Sequence, residues 1–280
     1  MTKLILTQKV SFFTLLKRRF INIISKLVYK LYNKYYYNNI HGYEFHKPEL
    51  DQSKIDDAYK YVDDGAIFDY IKEINSANIE KLSQYYPYKS IIDKENKESL
   101  KLNICNIGCF YAGADAFFLK SNPNCLVYGL DFGDINLLNK DIEMNNLKLY
   151  PGYPLSTIKD FVHNKNIIFD YTFFVRTAVK INVEQLETYI QHLSKISKNI
   201  IFLEVAKLSQ SYIRTLDVAK IPLNDSFKLY GGLYLHNYVE LIKKYGYKLD
   251  ECKVIESKYF ENSLTSDHDF VYISGEKILN

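Results

Sequence analysis

The stretch from Leu102 to Gly133, LNICNIGCFYAGADAFFLKSNPNCLVYGLDFG, constrains the fold more than any other part of the chain. It opens with an apolar run (Leu102, Ile104, Ile107) that reads as a buried strand and meets a small-residue turn at Gly108. A helix is predicted from Gly113 to Lys120, and a second apolar run, Leu126 to Leu130, stops at Asp131. Strand, glycine turn, helix, strand, acid is the order in which an open α/β sheet builds a nucleoside pocket. Gly108 carries no Cβ, so its backbone can approach a ligand closely. Asp131, at the carboxyl end of the second strand, is placed to accept hydrogen bonds from two ribose hydroxyls.

Strand and helix signals keep alternating downstream. Helices are predicted over Asn136–Asn145, Ser156–His163 and Val183–Ser197. Strands are predicted over Leu147–Tyr150, ending at Pro151-Gly152, then Ile167–Val175 and Ile200–Val205. This alternation implies a parallel sheet covered on both faces. Near the C-terminus a helix over Asn237–Tyr245, closed by Gly246, is followed by two strand-like runs, Tyr247–Ile255 and Phe270–Ser274. No helix is predicted between those runs, so they should pair as an antiparallel hairpin at the sheet edge.

On these residues the segment Leu102–Ile278 resembles the class I S-adenosylmethionine-dependent methyltransferases. Within them it is most similar to sugar O-methyltransferases, in which an N-I-G turn precedes aromatic and small residues. A reversed seventh strand inserted beside the fifth is characteristic of that class and absent from most dehydrogenases. The fold expected is therefore α/β: a Rossmann-like open sheet, mostly parallel, with an antiparallel C-terminal hairpin. Two departures stand out. The residue two before the glycine is often acidic in that superfamily and here is Asn106, while Cys109, Phe110 and Ala112 interrupt the usual glycine spacing. The resemblance implies S-adenosyl-L-methionine as cofactor, held by Asn106, Gly108, Cys109, Tyr111, Gly113, Asp131 and Phe132. Phe110 and Tyr111 offer aromatic faces to a sulfonium, with core packing as the plainer alternative. Asp115, in the first helical turn, is expected to serve backbone groups of that turn.

Methyl transfer from a sulfonium is an in-line displacement that depends first on positioning. Arg176, after the strand ending Phe173-Phe174-Val175, is a candidate for holding an acidic substrate group or closing over the cofactor; a surface ion pair is the alternative. His236, in Gly231-Gly232-Leu233-Tyr234-Leu235-His236-Asn237-Tyr238, is a candidate general base, because neutral imidazole titrates near pH 7. The alternative there is a helix cap supplied by His236 or Asn237. His268 and Asp269 form a second candidate pair, with a solvated loop as the alternative, and Glu204 ends the fifth strand, expected as an ion-paired structural carboxylate with a crevice-facing role as the alternative. His41, His46, His163 and His192 form no constellation.

The 280 residues carry a net charge of +3, too little to indicate a nucleic-acid partner. The four cysteines have no metal spacing, so no metal site is expected, and they fit a reducing cytoplasm without disulfides. The charge is uneven: residues 1–43 hold eight Lys or Arg and no acid, leaving the remainder at −5. Wound at about 100° per residue, Arg18, Arg19, Asn22, Lys26, Lys30 and Asn33 share one helix face, and Phe13, Phe20, Ile24, Leu27, Val28 and Leu31 the other. Such a basic amphipathic helix rests on an anionic membrane surface or packs on the domain or a second subunit, and both readings stay open. Lysines interrupt every apolar run short of a membrane span, and no small-residue cleavage site marks a signal peptide. Short helices are expected over 51–61 and 67–74. The division expected is thus a helical extension over 1–98 and a Rossmann-like domain over 99–280, cytoplasmic, with membrane association open. The acceptor implied is a small molecule or glycan. Two rival functions remain at this point, an NAD-dependent oxidoreductase and a non-catalytic binding module on the same fold.

Overall fold

The computed structural model describes residues 81–95, 100–109, 112–131, 144–165, 167–208, 223, 227–228, 234–256, 259 and 268–278. The basic helix, the helices over 51–61 and 67–74, residues 136–143 of the helix expected over Asn136–Asn145, Phe110, Tyr111 and Phe132 lie outside these residues, and Met144 and Asn145 are not helical.

Seven strands form the sheet: β1 (Asn103–Ile107), β2 (Leu126–Asp131), β3 (Leu147–Pro151), β4 (Phe169–Val175), β5 (Ser197–Leu208), β6 (Tyr247–Ile255) and β7 (His268–Lys277). Their order across the sheet is β3-β2-β1-β4-β5-β7-β6. The first five run parallel, and β7 lies antiparallel between β5 and β6, which is the reversed hairpin expected from the sequence. Residues 227–228 and 234–235 make a separate two-residue antiparallel pair.

Among the described residues the helices are α1 (Tyr86–Glu95), α2 (Gly113–Ser121), α3 (Pro154–Asp160), α4 (Val183–Leu193) and α5 (Tyr238–Lys244). Successive residues of a strand point to opposite faces, so Phe173 and Phe174 report on the two sides of β4. Phe173 meets Tyr88 of α1 edge to face, and Tyr88 stacks on Phe118 of α2. Phe174 meets Tyr189 of α4, and its neighbour Phe202 packs on Tyr238 of α5. Covered on both faces, the central strands read as continuous apolar runs rather than alternating ones. Helix α1, on the N-terminal side of residue 98, shares this core through Tyr88 and Ile91.

Element boundaries moved where polar residues are recruited by pairing. β5 extends from the expected Ile200–Val205 to Ser197–Leu208, and β7 from Phe270–Ser274 to His268–Lys277, because each supplies the other's backbone partners. Helix α3 starts at Pro154, whose fixed φ suits the first helical turn. It then passes at Phe161 into a five-residue π turn, Phe161–Lys165, instead of continuing to His163. The α4 helix ends at Leu193, four residues earlier than expected.

Candidate cofactor site

The carboxyl ends of β1, β2 and β4 converge at the turn after β1. The amide N–H groups of Gly108 and Cys109 both donate to the Leu130 carbonyl, at 2.7 and 3.2 Å. This staples the glycine turn to the last residues of β2, beside Asp131. Gly108 adopts φ +79°, and Ala112, just before α2, also sits in the left-handed region at φ 53°. A Cβ on Gly108 would come within 1.9 Å of Thr177 Oγ1. The glycine is thus demanded by the loop after β4, which occupies the space a side chain would need; access for a ligand is not required to explain it.

That second loop is held from below. Glu204 of β5 is fully buried and accepts the N–H groups of Thr177, Ala178 and Val179 at 3.2, 2.8 and 3.3 Å. Burial pushes its carboxyl up to about 7, and the three backbone donors moderate the rise. Where an ion-paired carboxylate was expected, Glu204 instead serves backbone donors at the start of a 3₁₀ turn, Ala178–Lys180. Arg176 precedes this turn in a left-handed conformation at φ 55°, partly exposed, its N–H donating to the Leu203 carbonyl at 2.9 Å.

Of the residues expected at the site, Asn106, Gly108, Cys109, Gly113 and Asp131 are brought together around the turn. Asn106 and Asp131 are both buried, at 4% exposure. They lie on the same sheet face, because Asn106 pairs in register with Gly129, two residues before Asp131. The Cys109 thiol is pushed well above its usual range by burial, with the nearby carboxylates of Asp131 and Asp115 adding to the rise. It is held as a neutral thiol.

His236 is fully buried, its Nε2 3.1 Å from the Ala178 carbonyl. Burial lowers its pKa to about 4 against the opposing pull of the Ala178 and Ile181 carbonyls, so the ring is neutral at pH 7. The cap of α5 is Asn237, whose Oδ1 accepts the Glu240 N–H at 3.2 Å. His268 and Asp269 fall within the backbone of β7. His163 lies exposed in the π turn, and His192 Nδ1 contacts the Thr188 carbonyl at 2.9 Å. Among the described residues no group of three or more His, Cys, Asp or Glu is arranged to hold a metal ion.

The sequence reading gave Asp115 a backbone role and did not single out Tyr88. Asp115 is the third residue of α2 and is fully buried. Tyr88 Oη donates to its Oδ1, and Asn106 Nδ2 donates to the same oxygen at 2.8 Å. Asp115 Oδ2 and Asn106 Oδ1 are left buried without a hydrogen-bond partner. The acid in the first turn after Gly113 was the visible signal, whereas Tyr88, 27 residues away, could be found only in three dimensions.

No protein-family model matches the chain. A curated relative from Metamycoplasma hominis, itself described only as an uncharacterized protein, is 30% identical over 172 residues. That match covers 54% of this chain and 31% of the relative, so the chain spans about a third of the relative's length. Among solved structures, the magnesium protoporphyrin IX methyltransferase of Synechocystis PCC 6803 with bound SAH matches with TM-score 0.53 and 11% identity, over 81% of this chain and all of that one. Phosphoethanolamine N-methyltransferase 2 of Haemonchus contortus, in complex with phosphomonomethylethanolamine and S-adenosylhomocysteine, also gives TM-score 0.53, at 12% identity, over 82% of this chain and 61% of that one. The fold is that of the class I methyltransferases. Identities this low establish the architecture and leave the chemistry to the site itself.

Proposed function

We propose that this chain is an S-adenosyl-L-methionine-dependent methyltransferase acting on an oxygen of a small-molecule or carbohydrate acceptor. The observation that carries the reading is the double hydrogen bond from the glycine turn to Leu130, which joins the turn to the strand ending in Asp131. The residues present also fit the cofactor. Two buried acceptor oxygens, Asn106 Oδ1 and Asp115 Oδ2, lack partners at the foot of the same turn, and a nucleoside amino acid is rich in donors. Asp131 would accept the ribose hydroxyls, and Gly108, Cys109 and Gly113 would present backbone; Tyr111 and Phe132 complete the proposed set from sequence. When bound, the cofactor supplies an electrophilic methyl group. The oxygen acceptor and its carbohydrate class rest on the sequence resemblance.

Arg176, partly exposed at the end of β4, is suited to orienting an acidic acceptor group. For His236 the surroundings favour positioning over proton abstraction. Its ring ties α5 to the Ala178–Ile181 turn, and a pKa near 4 makes it a weak base. Methyl transfer to a suitably acidic hydroxyl needs no strong base when donor and acceptor are held in line. The same burial favours, as second reading, a ligand-binding module without turnover.

The test is calorimetric titration of the purified chain with S-adenosylhomocysteine, S-adenosylmethionine and NAD. Both adenosyl-sulfur ligands are expected to bind and to raise the melting temperature, since a ligand that binds only the native state stabilises it. A response to NAD alone would replace the methyltransferase reading with the oxidoreductase one. Binding without methyl release to any acceptor in a small-molecule and glycan panel would favour the module.

A further inference from the structure

From Val175 to Ile181 the chain is buried at every position but two: Arg176 is partly exposed and Lys180 is exposed. Both are cations, and they bracket a turn that is tied down on several sides. Glu204 accepts the N–H groups of Thr177, Ala178 and Val179, His236 Nε2 meets the Ala178 carbonyl, and the Lys180 N–H donates to the Thr177 carbonyl at 2.9 Å. Both Glu204 oxygens are thus taken up by backbone. The segment also abuts the glycine turn after β1, because Thr177 fills the space beside Gly108. The charged groups around the Lys180 ammonium are Arg176, Asp131 and Glu204.

Arg176 is held at a cost. Its φ of 55° lies in the left-handed region, where a long side chain is strained and glycine or asparagine would serve the turn better. Such strain clusters at ligand clamps and active sites, where the side chain has a use. A second cation on the same rigid turn adds like-charge repulsion. The complement of a guanidinium fork beside an ammonium is an anion that presents two or more oxygens.

We infer that Arg176 and Lys180 together hold an oxyanion carried by the acceptor, a phosphate or a carboxylate, so that the acceptor is an acidic molecule rather than a neutral one. The inference rests on the methyltransferase reading above and narrows its acceptor class. Fixed at its acid group beside the glycine turn, such an acceptor has its hydroxyl ordered by position, which is what methyl transfer needs first. Lys180 thereby joins Arg176 as a binding residue, and the strained backbone of Arg176 has a purpose.

The experiment titrates the full chain, saturated with S-adenosylhomocysteine, with inorganic phosphate and with acetate by calorimetry, chloride keeping the ionic strength constant. At least one anion is expected to bind; phosphate alone marks a phosphorylated acceptor, and acetate alone a carboxylate one. Lys180→Gln should weaken that anion roughly tenfold or more, the scale of a lost hydrogen bond to a charged group, with the melting temperature unchanged. Arg176→Gly should weaken it as much, while the ligand-free melting temperature holds or rises, because glycine takes a positive φ without strain. S-adenosylhomocysteine affinity should be the same in both variants and wild type. A loss of that affinity instead would put the pair on the cofactor's own carboxylate and overturn the assignment, as would anion binding that both variants retain. S-adenosylhomocysteine bound with no response to either anion would sink this inference alone, whereas no binding of S-adenosylhomocysteine would sink the methyltransferase reading with it.

Discussion

Two polar regions lie on the α1 side of the sheet, and they are built by opposite rules. The wider one is a groove of ≈ 540 Å³ between α1 and strands β4 to β7, rimmed by Tyr86, Tyr171, Tyr259 and Tyr272. Its polar groups are matched to one another. Lys94 meets Asp250 at 3.1 Å, Lys253 meets Glu251 at 2.8 Å, Tyr171 donates to Glu95 at 2.6 Å, and the Ser90 and Tyr272 hydroxyls lie 2.6 Å apart. The other region, under the glycine turn, is buried and keeps two acceptors unmatched. Size alone points to the first. Unsatisfied polar groups point to the second, and in a native protein these are the costlier feature and the one that function has to justify.

The largest effect expected from this contrast is at its tightest point. Gly108→Ala must place a side chain at φ +79° and into the Thr177 hydroxyl. Left-handed strain and overpacking together should cost about 4 kcal/mol in urea unfolding. Thr177→Gly in the same chain should return the packing part and leave the strain. Gly275 supplies the control: a Cβ there meets the far end of the Ile242 side chain at 2.7 Å and the Lys248 carbonyl at 3.3 Å, with no left-handed backbone. Gly275→Ala should cost about 1 kcal/mol. Equal costs at the two glycines would remove the distinction between a rigid end and a yielding one.

Next in size is the dependence of stability on pH, which buried groups dominate. Burial raises Asp115 from 3.8 to about 6 and Glu204 from 4.5 to about 7. Folding therefore favours their protonated forms. Their contribution is whole below about pH 4 and lost as pH rises through 6 and 7, on the order of 3 kcal/mol for each. His236 runs the other way: lowered from 6.5 to about 4, it contributes fully above pH 6.5 and loses that contribution as pH falls through 4. Urea unfolding should show stability highest in mildly acid solution and declining towards pH 8. Asp115→Asn should flatten that decline by about 3 kcal/mol. A wild-type profile level from pH 5 to 8 would mean that these carboxylates are better solvated than their burial implies.

How much of this was legible in the sequence follows from the range of the interactions. The apolar centres of β1, β2 and β4 announced themselves because strands buried on both faces need continuous hydrophobic runs. The hairpin order was legible because the sequence carries no helical pattern between the runs Tyr247–Ile255 and Phe270–Ser274. The polar ends of β5 and β7 were not, since Lys207 and Asp269 become strand only through pairing with each other. Gly108 was legible as a glycine with a purpose, but its reason, the Thr177 hydroxyl 69 residues on, was not. His236 looked like a base from its local setting, while its partner Ala178 lies 58 residues away. The candidate site could be read from local pattern, but the contacts within it are ones that no local pattern encodes.

The smallest expected effect tests the other half of the comparison. If the groove is a solvated surface whose charges answer one another, its ion pairs should contribute little. Lys94 and Asp250 are each more than two-fifths exposed, so water and salt screen their attraction, and two flexible side chains must be ordered to form it. A double-mutant cycle of Lys94→Ala and Asp250→Ala should give a coupling of at most about 0.5 kcal/mol, fading further in high salt. The corresponding cycle of Tyr88→Phe and Asp115→Asn, in the buried cluster, should give a larger coupling that salt does not change, because solvent ions do not reach the pair. Couplings of equal size and equal salt sensitivity would show that burial does not separate the two regions. The unmatched oxygens under the glycine turn would then lose their standing as the mark of the proposed binding site.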